Sequence, residues 1–232
     1  MRRVCTLALA IPLAFSVLAS GASAVTVGQT DDFEDGTTQG WLVSLLGMGV
    51  HPAPPMNVPG GGPAGALDSY LALTAVGGAS AGSRLTAINV TQWTGDYASA
   101  GVTFIEIDLL NLGPTDLSIR LFLENPMGGP PVDTAVTDAV LLPVGQGWVH
   151  VSFAVSASDL TVLTGDVDTL LANVTALRIF HSPNAEFPGP AIVTQLGIDD
   201  VTALPEPSGA LLIIAALAAL AAQPRARRRL RR

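Results

Sequence analysis

The stretch Trp148-Val149-His150-Val151-Ser152-Phe153-Ala154-Val155 alternates residue by residue, so Val149, Val151, Phe153 and Val155 share one face of an extended strand and point inward. Short β-rich runs recur from Gln29 to Ala203, separated by clusters of Gly, Pro, Asn and Asp, and no stretch sustains a helical period. This pattern predicts an all-β fold, an antiparallel sandwich. The expected strands are Trp41–Leu46, Ser69–Thr74, Ser83–Val90, Gly101–Leu110, Leu117–Leu123, Thr134–Leu142, Trp148–Val155, Val174–Phe180 and Val193–Thr202. Residues Asp159–Leu171 are expected to add one short helix, capped by Ser158 or Asp159.

Charge narrows the function. Between Val25 and Leu204 lie three arginines (Arg84, Arg120, Arg178), no lysine and 18 of the 19 acidic residues, a formal balance of −15. The whole-chain value of −8 conceals this, because the remaining arginines sit at the two ends. Such a domain repels nucleic acid and anionic lipid, which excludes a nucleic-acid-binding role. The single cysteine, Cys5, lies in the first segment, so the central domain has no disulfide, thiolate nucleophile or cysteine metal ligand.

Residues 1–24 begin with Arg2 and Arg3, continue through an apolar run to Leu18, and end Ala22-Ser23-Ala24, the small-x-small pattern accepted by signal peptidase. Pro12 and the β-leaning Val25-Thr26-Val27 argue against a buried N-terminal helix. Cleavage is expected after Ala24, leaving residues 25–203 as one β-sandwich domain.

Residues 204–232 carry three features in order: Leu204-Pro205-Glu206-Pro207, an apolar run from Gly209 to Ala222, and a tail with Arg225, Arg227, Arg228, Arg229, Arg231 and Arg232. The arginines stay cytoplasmic and leave the preceding domain on the far side of the membrane. The 14 apolar residues would span about 21 Å as a helix, short of the roughly 30 Å hydrocarbon core. The arrangement resembles the PEP-CTERM sorting signal of bacterial exosortase substrates, with Pro205, Glu206 and Pro207 as the motif. The resemblance implies transient anchoring in the inner membrane of a Gram-negative-type bacterium, cutting near the motif by exosortase, and transfer to the cell surface or an exopolysaccharide matrix. Leu204–Ser208 is also similar to a sortase signal, but Pro207 stands where that signal has threonine; a tail anchor without processing is the simpler alternative.

Within the domain, Asp31-Asp32-Phe33-Glu34-Asp35-Gly36 with Trp41, and Leu196-Gly197-Ile198-Asp199-Asp200-Val201, resemble the opening and closing strands of galactose-binding-like carbohydrate-binding jelly rolls. The resemblance implies a jelly-roll sandwich and a structural calcium ion held by Glu34 and Asp199, with Asp32 or Asp200 assisting. A solvated acidic turn is the competing reading of the same carboxylates.

Glu106-Ile107-Asp108-Leu109-Leu110-Asn111 resembles the Glu-x-Asp-x-x-Glu strand of laminarinase-type glycosidases, which implies a nucleophile at Glu106 aided by Asp108. Asn111 stands where the acid/base carboxylate belongs, and Asn cannot shuttle that proton. His51, His150 and His181 show no metal-ligand spacing, and no Gly-x-Ser-x-Gly surrounds a serine. No catalytic residue is therefore assigned. Trp93 and Tyr97 are the loop aromatics expected to stack on a sugar ring, while Trp41 and Trp148, at strand starts, are expected in the core. The expectation is a non-enzymatic, surface-delivered jelly roll that binds polysaccharide weakly; the alternative is a glycan-active enzyme using Glu106 and Asp108.

Overall fold

The computed structural model describes residues 24–44, 53–126 and 130–206. The expected signal segment up to Ser23, His51, Pro207, the apolar C-terminal run and the arginine tail lie outside them. No helix among the described residues is long and apolar enough to cross a membrane.

Twelve strands are present in the described residues: β1 (Thr30–Asp31), β2 (Met56–Val58), β3 (Tyr70–Val76), β4 (Thr86–Asn89), β5 (Phe104–Asn111), β6 (Leu117–Asn125), β7 (Asp133–Val136), β8 (Val140–Leu142), β9 (Val149–Ala154), β10 (Thr161–Thr164), β11 (Ala176–His181) and β12 (Val193–Leu204). Two short helices join them, α1 (Tyr97–Ala100) and α2 (Val167–Ala172). The strands form two antiparallel sheets. The first runs β2-β3-β12-β5-β9, with β1 also on β12; the second runs β10-β7-β6-β11-β4, with β8 also on β6. The chain is an antiparallel β-sandwich of jelly-roll type.

Period-two burial builds the core between the sheets. Ile105, Ile107 and Leu109 of β5 meet Val151 and Phe153 of β9 and Leu71, Leu73 and Ala75 of β3; Ile119, Leu121 and Leu123 of β6 and Leu177 and Ile179 of β11 come from the other sheet. The opposite faces of the same strands carry Glu106, Asp108, His150 and Thr74.

Several expected elements differ. Thr134–Leu142 is two strands because Thr137 interrupts the ladder: its Oγ1 accepts the Leu121 N–H (2.9 Å), while its carbonyl turns to Arg120 (2.6 Å). The single helix expected over Asp159–Leu171 is instead β10 followed by α2, because the cap is Asp166, whose side chain accepts the Thr169 N–H at 2.8 Å. Ser83–Val90 begins with a 3₁₀ turn over Ala81–Ser83 before β4. In the described part of Trp41–Leu46, pairing is limited to a bridge between Leu42 and Ile88.

A β-bulge in β12 prepares the site. Asp199 pairs with Asp108 and Thr202 with Glu106, so β12 uses three steps where β5 uses two. The extra residue, Asp200, takes a left-handed φ of 48°. Leu196 and Ile198 before the bulge and Val201 and Ala203 after it all enter the core. Were the same sequence paired as a regular strand, its parity would place Asp200 and Thr202 inside and expose Val201 and Ala203.

Candidate functional site

One rung crosses the outer face of the first sheet through Leu110, Gly197 and Ala72, which are register partners on β5, β12 and β3. Trp148, one residue before β9, has the parity of this face and lies over it. A Cβ built on Gly197 would sit 2.9 Å from Trp148 Cη2 and 3.3 Å from Leu110 Cβ. The absence of a side chain at Gly197 thus lets the indole rest on the strand backbone. The Trp148 indole N–H donates to the Gly61 carbonyl at 2.9 Å, and the Tyr70 ring meets the indole edge-on at 5.3 Å and 77°. Both aromatics are half-buried.

Beside this platform the face becomes acidic. His150 Nδ1 lies 3.0 Å from Asp108 Oδ1 and its Nε2 lies 3.2 Å from Glu106 Oε2, so one imidazole spans both carboxylates. Desolvation pulls His150 down, but these hydrogen bonds and charges outweigh it and hold its pKa above the ordinary histidine value. On the neighbouring strand Asp199 is 1% exposed. Burial, followed by the charges of Asp200, Asp68 and Asp108, pushes its carboxyl up to about 8, against the Asp200 N–H that it accepts at 2.8 Å. Asp200 is raised too, first by burial and then by Asp108, Asp68 and Asp32, with His150 acting in the opposite sense. Gly62 brings its loop close to these groups, since a Cβ there would lie 2.6 Å from Asp68 Oδ2 and 3.0 Å from Asp199 Oδ2.

The loop aromatics expected to touch sugar are elsewhere. Trp93 and Tyr97 are both 0% exposed and belong to the core. Asp31 explains this: its Oδ2 accepts the indole N–H groups of Trp93 (2.6 Å) and Trp41 (2.8 Å), and Gln92 Nε2 donates to both its oxygens. The Tyr97 hydroxyl donates to the Trp93 carbonyl at 3.0 Å, and burial drives its pKa far upward. Neither ring reaches a ligand without opening the core. Trp41 is buried as expected, whereas Trp148 is the platform on the outer face.

Of the carboxylates that the resemblance assigns to calcium, Asp32, Asp199 and Asp200 fall in the acidic group around Asp68 and Asp108. Glu34 Oε1 is occupied by the Ser69 N–H at 2.7 Å, and Asp32 Oδ1 accepts from Glu34 N and Gln39 Nε2. Among the described residues no three His, Cys, Asp or Glu side chains are disposed to hold one metal ion. Side chains of the described residues alone therefore do not complete the oxygen set that calcium takes.

Glu106 and Asp108 share the outer face, as the alternation predicts. Asn111 has the opposite parity, is buried, and donates through Nδ2 to the Thr115 and Leu142 carbonyls, both at 2.9 Å. Its position in the glycosidase-like string is thus structural. At the chain ends, Val25 is buried with its N–H on the Thr94 carbonyl (2.7 Å) and Ala24 is bridged to Thr94, whereas Pro205 and Glu206 are exposed directly after β12. Ala22 lies outside the described residues.

No protein-family model and no curated protein matches the chain. Solved structures do. An exo-β-agarase matches 78% of this chain and 26% of its own at 12% identity, with a TM-score of 0.51. A family 11 carbohydrate-binding module from Clostridium thermocellum, in complex with a β-1,3-1,4-mixed-linked tetrasaccharide, matches 78% of this chain and 97% of its own at 13% identity and a TM-score of 0.48. A carbohydrate-binding module specific for non-crystalline cellulose matches 78% and 97% at 18% identity and a TM-score of 0.43. At these identities the likeness is one of fold, the two-sheet antiparallel sandwich.

Proposed function

We propose that the domain is a non-catalytic module that binds a neutral polysaccharide across the outer face of its first sheet. The observation that carries this reading is Trp148 seated on Gly197 with Tyr70 edge-on beside it. A flat aromatic surface suits the C–H face of a pyranose ring, and the neighbouring Glu106, Asp108 and His150 suit its hydroxyls through charge-assisted hydrogen bonds. The acidic surroundings favour a neutral glycan over an anionic one. Retention on insoluble β-glucan and on agarose tests it. The parent domain is retained on at least one of them and Trp148→Ala is not; no retention of the parent overturns the reading. Reducing-sugar release from β-glucan in the same samples would instead favour the enzyme built on Glu106 and Asp108.

The module reaches its polysaccharide by export: signal peptidase cuts after Ala24, the C-terminal helix holds the chain in the inner membrane, and exosortase cuts near Pro205-Glu206-Pro207. Release then places the domain at the cell surface or in the exopolysaccharide matrix. Supporting this is the order of breaker, apolar run and arginine tail. Mass spectrometry of surface-released protein should find a C-terminus near the motif. A chain still ending in Arg232 would contradict processing and leave the tail-anchored alternative. Calcium rests on the resemblance alone: a higher melting temperature with calcium than with chelator would support it, and equal melting would remove it.

A further inference from the structure

The second sheet carries a cavity of its own. About 230 Å³ of space lies between β4, β11 and the segment around Phe187–Gly189. Two of the three arginines in the acidic domain line it, Arg84 and Arg178. Their charges are used differently. Arg178 donates to Glu124 Oε1 (2.6 Å from Nη2) and lies 5.2 Å from the centre of the Phe187 ring, so it is neutralised and forms part of the wall. Arg84 donates to the Ala79 carbonyl from Nε and to the Gly189 carbonyl from Nη1. It makes no ion pair among the described residues.

A further group points to what such a cation is for. His181 Nδ1 accepts the Ser118 N–H at 3.0 Å, which puts the ring proton of the neutral imidazole on Nε2, and no described atom accepts it. Burial holds its pKa below the ordinary value and favours this neutral tautomer. Thr86 Oγ1 is buried without a hydrogen-bond partner. Both residues line the cavity, together with Phe180, Phe187 and Leu85, and no Asp or Glu does. An unpaired guanidinium and an unused ring donor beside an aromatic wall, within a domain of formal charge −15, suit an anionic occupant.

We infer that this cavity binds a single six-membered ring bearing one carboxylate, with the carboxylate on Arg84 and His181 and the ring against Phe187. A uronic acid and an apolar ring acid share this chemistry. The site is separate from the Trp148 face and does not depend on it.

NMR titration of the domain with glucuronate, cyclohexanecarboxylate and glucose tests the assignment residue by residue. Saturable shifts at His181 and Thr86 are expected with at least one of the two carboxylates and not with glucose, and the tighter of the two identifies the source. Arg84→Gln should weaken that binding tenfold or more. The Trp148 resonances should stay in place throughout. Absence of saturable shifts with both carboxylates, equal shifts with glucose, or unchanged affinity in Arg84→Gln would overturn it.

Discussion

Replacing Gly197 with alanine probes the seat of Trp148 with a single methyl group. Gly197 has no positive φ, so alanine adds no backbone strain, but its Cβ would lie 2.9 Å from Trp148 Cη2. Carbon atoms settle about 3.5–4.0 Å apart, so the indole must rise by roughly 0.6–1 Å. That movement stretches the 2.9 Å bond to the Gly61 carbonyl, forfeiting about 1 kcal/mol, and loosens the edge-on contact with Tyr70, forfeiting about 0.5–1.5 kcal/mol more. A loss of roughly 1.5–2.5 kcal/mol lowers the melting temperature of a domain this size by about 3–10 °C. If the same displacement is felt by the glycan, affinity falls about tenfold or more. Calorimetry and retention on insoluble polysaccharide read the two effects in one preparation. Parent-like melting together with parent-like retention in Gly197→Ala would refute the claim that the indole rests on this glycine.

Substitutions at Trp93 and Trp148 separate stability from binding. Trp93→Ala empties a fully buried site and should cost about 3–5 kcal/mol, so the variant melts far below the parent, whereas Trp148→Ala should lose retention with a smaller fall in melting, at least that expected of Gly197→Ala; the opposite pattern would return Trp93 to the binding surface. Stability should also fall as pH rises from about 4 to about 8. Asp199 gives up its proton near 3.9 when unfolded but keeps it to about 8 when folded, so the unfolded chain binds fewer protons across that window. Asp199→Asn should flatten the slope and exceed the parent at pH 8 by an amount on the order of a few kcal/mol, while matching it near pH 4. An unchanged slope in the variant would show that Asp199 titrates normally.

The sandwich and its core were legible because burial on one face forces a two-residue period, and the periodic runs of β5 and β9 follow it closely. The same rule pointed to the platform. Val149, Val151, Phe153 and Val155 are odd-numbered and inward, so Trp148 has the parity of the outer face, and a glycine within the β12 pattern marked a close approach. Reading Trp41 and Trp148 alike by their place at a strand start hid this. What escaped the sequence depends on contacts distant along the chain. Asp31 draws Trp41 and Trp93 into the core from 10 and 62 residues away, which makes a loop aromatic internal. The bulge at Asp200 resets the parity of β12, and Thr137 substitutes its hydroxyl for a ladder carbonyl, both local departures that no alternation announces. The cavity beside Arg84 likewise arises from segments about a hundred residues apart.

The central claim is that ligand lies on the first sheet's outer face, over Gly197. Mapping amide and indole chemical shifts during titration with a soluble β-glucan or agarose oligosaccharide tests it most directly. Saturable changes at Tyr70, Asp108, Trp148, His150 and Gly197, with Trp93 and Tyr97 silent, are the predicted result. Changes centred on β4 and β11, or on the loop around Trp93, would contradict it.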